Sequence, residues 1–146
     1  MTCSRSFFSE KNKKRLGIRL IEAAKLGDFK TVEKYVNKGA DLTAEDEYGF
    51  TALAWAALKG HVEMVQALID KGADPNAVIH NGSNVLACAA LKGHVEVVKM
   101  LIDKGADPNA ANHDGLTALA YAAREGHTEV TKILTEASTR TGETRA

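Results

Sequence analysis

A 33-residue step recurs along this chain, and no other feature of the sequence restricts its fold as strongly. The string ALKGHVE stands at 57–63 and again at 90–96, and LIDKGADPNA at 68–77 and again at 101–110. Gly49, Gly82 and Gly115 keep the step, as do Gly27, Gly60, Gly93 and Gly126, and also Gly39, Gly72 and Gly105. Each unit reads as two short helices and a turn. Thr51 is placed to cap a helix over 52–59 that Gly60 ends, and a second helix over 62–71 is stopped by Gly72. The ADPNA link after it is turn-rich, because Pro75 fixes φ and Asn76 tolerates unusual dihedrals. The pairs Ala56-Ala57, Ala89-Ala90 and Ala122-Ala123 allow neighbouring helices to approach closely. One such unit cannot bury its own apolar face, so the units must stack.

The segments GFTALAWAALKGH (49–61), GSNVLACAALKGH (82–94) and GLTALAYAAREGH (115–127) resemble ankyrin repeats, and the resemblance covers about residues 13–138. It implies an all-α solenoid of helix-turn-helix units with hairpin-like finger turns, in four repeats at about 13–45, 46–78, 79–111 and 112–138. The sequence departs from the family's Thr-Pro-Leu-His signature. Ala52, Val85 and Ala118 replace its proline, and Ala54, Ala87 and Ala120 its histidine. The change removes a favourable first-turn proline and a polar network from each repeat.

The second helices locate the ends of the array. Val62, Val65 and Ile69, and then Val95, Val98 and Ile102, face one neighbour; the last unit has Thr128, Thr131 and Thr135 there. Met64/Ala67 and Val97/Met100 face the other neighbour, where the last unit keeps Val130 and Ile133. The first unit reverses this, with Phe29, Val32 and Val36 toward its successor and Thr31 and Lys34 outward. Polar outer faces are what terminal repeats need for solubility. The expectation is a four-repeat monomer with built-in caps, a mobile basic tail at 1–12 and a polar tail at 139–146.

Charge sets limits on partners. Residues 1–19 carry Arg5, Lys11, Lys13, Lys14, Arg15 and Arg19 against Glu10, a net of +5, whereas the body up to residue 139 carries −6. An acidic body argues against a broad nucleic-acid footprint. KNKKR at 11–15 is compatible with nuclear import or an anionic surface, and more simply with the solvated end of a first helix. No stretch approaches 18 apolar residues, and the start offers only Phe7-Phe8 where a leader needs an apolar run. Cys3 and Cys88 do not make a disulfide framework, so a cytoplasmic protein is expected, with a nuclear one as the variant.

Catalytic chemistry finds no footing. His61, His94 and His127 share one repeat position, and stacking holds such positions roughly 10 Å apart, too far to converge on a metal. The resemblance implies a loop-tying role for them. Asp41, Asp74 and Asp107 recur in the GAD turn, where a carboxylate accepts backbone N–H groups. A catalytic pair would be unique, not copied once per repeat. No enzyme activity, cofactor or metal is expected.

What varies between repeats is surface. The finger turns carry Tyr48 and Phe50, then His80 and Ser83, then His113 and Leu116. The first helices carry Trp55, Leu58 and Lys59, then Cys88, Leu91 and Lys92, then Tyr121, Arg124 and Glu125, each trio on one helical face. In the ankyrin-like fold these bands form a concave groove that grips partners. The expected function is therefore a non-catalytic protein-binding module, an adaptor, scaffold or inhibitor. An apolar strip flanked by Lys59, Lys92 and Arg124 suits a partner with hydrophobic anchors and an acidic rim. Two alternatives are a nucleic-acid or anionic-surface binder acting through residues 5–19, and an engineered repeat scaffold.

Overall fold

The computed structural model describes the backbone of residues 2–145 and the side chains of residues 10–140. The side chains of Cys3, Arg5, Phe7, Phe8 and Arg145 therefore lie outside the described residues. Eight helices follow one another: α1 (Thr2–Leu26), α2 (Phe29–Asn37), α3 (Ala52–Lys59), α4 (Val62–Asp70), α5 (Val85–Lys92), α6 (Val95–Asp103), α7 (Ala118–Arg124) and α8 (Thr128–Arg145). Each odd helix packs on the even helix after it. The odd helices then stack on one another as an inner layer and the even helices as an outer layer, giving the all-α solenoid the repeat implied.

Local chemistry explains the boundaries. Thr51 Oγ1 accepts the Ala54 N–H at 3.2 Å, Thr117 Oγ1 accepts that of Ala120 at 3.2 Å, and Asn84 Oδ1 accepts that of Ala87 at 2.8 Å. Gly60 ends α3 in the left-handed region at φ 78°, and its backbone N–H returns to the carbonyls of Ala56 and Ala57. Between the layers runs one core. Leu53, Leu86, Val98, Leu101 and Leu134 are almost fully buried, and Ala56, Ala57, Ala89 and Ala90 sit where the inner helices meet. At the first repeat Gly17 does similar work: a Cβ there would lie 2.6 Å from the Cβ of Ala44 and 2.8 Å from the carbonyl oxygen of Asp41. That close approach lets the Asp41 N–H bond the carbonyl of Lys13 at 3.1 Å.

The two expected tails differ from expectation. α1 begins at Thr2 and α8 runs to Arg145, so helix extends through most of 1–12 and 139–146. Residues 1–12 contain neither Gly nor Pro, and nothing in them stops a helix from propagating toward the amino end. On α8 the outward threonines close their own hydrogen bonds. Thr131, Thr135 and Thr139 donate from Oγ1 to the carbonyls of His127, Thr131 and Thr135, at 2.8, 2.8 and 2.9 Å. The other side of the helix buries Val130 and Leu134.

Candidate functional site

The fingers are built on side-chain acceptors. Asp46 Oδ1 receives the backbone N–H groups of Tyr48 and Phe50 at 3.0 and 2.9 Å, which closes the first finger. Its other oxygen accepts Trp55 Nε1–H at 2.9 Å, so one carboxylate fixes both the finger and the indole beneath it. Phe50 lies against that indole with ring centroids 4.8 Å apart and an interplanar angle of 35°. Lys25 Nζ stands 4.9 Å from the indole centroid and Lys59 Nζ 5.9 Å, both within cation–π reach. Partial burial pushes the Asp46 carboxyl upward. Hydrogen bonds from Trp55, Phe50 and Tyr48 and the charge of Lys25 outweigh it and hold the group below its ordinary value.

Two repeats later the same plan recurs with different groups. Asn112 Oδ1 receives the N–H groups of Asp114 and Leu116, both at 2.9 Å, and Asn112 Nδ2 donates to Tyr121 Oη at 2.7 Å. Arg124 lies over the Tyr121 ring, with Cζ 5.1 Å from the centroid. In the repeat between them the equivalent positions are Ile79 and Cys88, a pair with no such bond to share. There Asn81 Oδ1 takes the Ser83 N–H at 2.8 Å instead. Successive fingers are joined by backbone, His80 N–H to Tyr48 O at 3.1 Å and His113 N–H to Asn81 O at 3.0 Å.

This arrangement sorts the expected contact residues into three groups. Tyr48, Lys59, His80, Lys92, His113 and Arg124 are exposed, and His80 Nε2 lies 3.3 Å from Glu45 Oε1. Phe50, Trp55, Leu58, Leu91, Leu116 and Tyr121 are half-buried, with one surface open. Ser83 and Cys88 are each only 5% exposed and are corrected: neither is an available contact in the free chain. Cys88 is a short side chain on α5, which has α3 on one side and α7 on the other, and it is buried where the larger Trp55 and Tyr121 are only half-buried. Burial pushes its thiol up to about 12. Ser83 is held at the finger base, where its hydroxyl accepts Asn112 Nδ2–H at 3.3 Å.

Sequence reasoning missed Asp46, Asn112 and Lys25. A signal was present: Asp46 and Asn112 share a repeat position, and each has an aromatic residue nine positions on.

The recurrent polar residues tie turns together. His94 Nε2 donates to Leu58 O at 2.9 Å and His127 Nε2 to Leu91 O at 3.0 Å. Asp41, Asp74 and Asp107 accept the N–H two residues on, at 2.9, 2.8 and 2.9 Å, as expected of aspartate in this turn. Among the described residues no three His, Cys, Asp or Glu side chains group in a way that could hold a metal ion. No helix among them is long and apolar enough to cross a membrane.

Comparison with known proteins places this geometry. A family model for ankyrin repeats, in three copies, matches residues 20–112, and a single ankyrin-repeat model matches 114–139. The chain is also similar to a protein of Rickettsia felis whose name calls it an ankyrin repeat protein. The two are 38% identical over 60 residues, which is 41% of this chain and 88% of the other.

Proposed function

Because the chain belongs to the ankyrin-repeat family, a family of protein-interaction modules, we propose that it is a non-catalytic adaptor, scaffold or inhibitor that grips a protein partner on its concave face. The observation that carries this reading is the uneven floor beneath the fingers. The scaffold contacts repeat from unit to unit, yet one position reads Trp55, Cys88 and Tyr121 in turn, with Phe50, Leu58, Leu91 and Leu116 half-open around them. Trp, Tyr and Arg are also the residue types that anchor interfaces.

The test is affinity capture from native lysate with the full chain and with Leu91→Glu, which places a charge on the floor. A partner held by the concave face is retained by the wild type and by Lys99→Ala on α6, and lost by Leu91→Glu. A partner retained equally by all three contradicts the reading.

A second reading has one observation in its favour. Lys11, Lys13, Lys14, Arg15 and Arg19 are all exposed on α1. Binding of a nucleic acid or anionic surface there would weaken steeply with salt, while an apolar floor would not. A salt titration of the captured complex separates the two.

A further inference from the structure

Lys25, Lys59, Lys92 and Arg124 stand at the carboxyl ends of the four inner helices, one in each repeat. All four are exposed. Three of them lie over the aromatic floor: Lys25 and Lys59 both reach the Trp55 ring, and Arg124 covers that of Tyr121. Lys59 and Lys92 have no acidic partner among the ion pairs of the described residues. The fingers carry the other sign: Glu45, Glu47 and Asp114 are exposed there, and the finger carboxylate of Asp46 holds Lys25 at 3.9 Å, while Glu125 lies 3.6 Å from Arg124. The cations left for an incoming carboxylate are therefore Lys59 and Lys92, on neighbouring repeats beside the apolar floor.

We propose that this pair docks an acidic polypeptide segment whose carboxylates alternate with aliphatic or aromatic side chains, a partner class that rests on the reading of the concave face given above. Stacked helices lie about 10 Å apart, so the cations recur at roughly that pitch. A partner helix brings one stripe back every seven residues, about 10.5 Å, and an extended chain with three residues per turn does so every third, about 9.3 Å. Carboxylates seven or three residues apart therefore meet successive cations, while the apolar residues between them lie on Trp55, Leu58 and Leu91. A nucleic acid fits poorly. The finger carboxylates repel phosphates, and the aliphatic stretch of the floor offers bases nothing to stack on. Cations at helix carboxyl ends also offset the helix dipole. That role predicts a loss of stability on charge reversal, whereas docking predicts a loss of affinity.

The experiment selects a random 20-residue peptide library displayed on phage against the full chain. The expected binders are net negative, carry Asp or Glu at a spacing of three or seven beside Leu, Ile or Phe, and weaken with salt. Their synthetic copies should lose about tenfold or more in affinity against Lys59→Glu/Lys92→Glu, with the urea midpoint of that variant nearly unchanged. Lys59→Gln/Lys92→Gln serves if the reversal disturbs folding, and should show a smaller loss in the same direction. Neutral or basic binders that Trp55→Ala weakens overturn the acidic-segment proposal and leave the concave-face reading standing. Binders indifferent to both Trp55→Ala and Tyr121→Ala overturn that reading, and this proposal with it. Failure to enrich any peptide, or displacement of the binders by oligo(dT), also overturns the proposal.

Discussion

The imidazole of His94 reaches back across one repeat to the carbonyl oxygen of Leu58, 2.9 Å from Nε2. Leu58 lies in the last turn of α3, where carbonyls have no partner within the helix. The bond therefore satisfies an orphan acceptor and ties two repeats together. The ring lies against Gly60, where a Cβ would come within 2.6 Å of Nδ1. His94→Ala should cost about 1–2 kcal/mol in urea unfolding. Gly60→Ala should cost roughly 1–3 kcal/mol, from its left-handed φ as well as the clash. In the double variant the clash is gone, so its loss should fall short of the sum. Full additivity would contradict the contact.

The bond from Trp55 Nε1 to Asp46 makes a second prediction, readable because the chain has a single tryptophan. The folded-state carboxyl lies below its ordinary 3.8, so its contribution is present above that value and is lost as pH falls through the lowered one. Trp55 emission should stay constant from pH 7 down past pH 3.8, then shift to the red. Asp46→Ala should show the red-shifted spectrum already at pH 7 and lose about 1–2 kcal/mol of stability. An Asp46→Ala spectrum identical to wild type would remove the bond from the account.

Cys88 tests burial directly. In a Cys3→Ser background, a thiol-reactive dye at pH 8 should leave Cys88 unlabelled in buffer and label it in urea. The thiol lies within the stack, and burial holds it protonated, with its value pushed up to about 12. Labelling within seconds under native conditions would contradict its place in α5.

The outer face of α8 carries a solubility prediction. Replacing Thr128, Thr131 and Thr135 by Val, Val and Ile puts alkyl groups where three hydroxyls stand, those of Thr131 and Thr135 bonded to carbonyls one turn back. An apolar patch of that kind favours association. Light scattering should find larger species for the triple variant than for the parent chain. A triple variant that remains monodisperse at high concentration would contradict the capping role.

Much of this was legible in the sequence. The period located the helices, Thr51 and Gly60 marked the ends of α3, and the threonine column showed which side of α8 faces outward. A repeat position indicates the side of a helix but not the depth its side chain reaches. For that reason Trp55, Cys88 and Tyr121 read as equivalent, although only the two large ones come to the surface. The Asp46 and Asn112 ties were also hidden, because they join a finger to its helix through side chains whose geometry no spacing discloses. At the amino end the basic charge of residues 1–12 suggested a tail, but charge does not decide helicity, and nothing there interrupts α1.

The concave-face reading makes Trp55 and Tyr121 the anchors of a bound partner. It is tested most directly by calorimetric titration of the captured partner into the wild type, Trp55→Ala, Tyr121→Ala and Lys99→Ala. Buried aromatic anchors cost about 2 kcal/mol or more on truncation, roughly thirtyfold in Kd. Trp55→Ala and Tyr121→Ala should each weaken binding by about that factor while remaining folded, and Lys99→Ala should match the wild type. Unchanged affinity in both folded aromatic variants would contradict the claim.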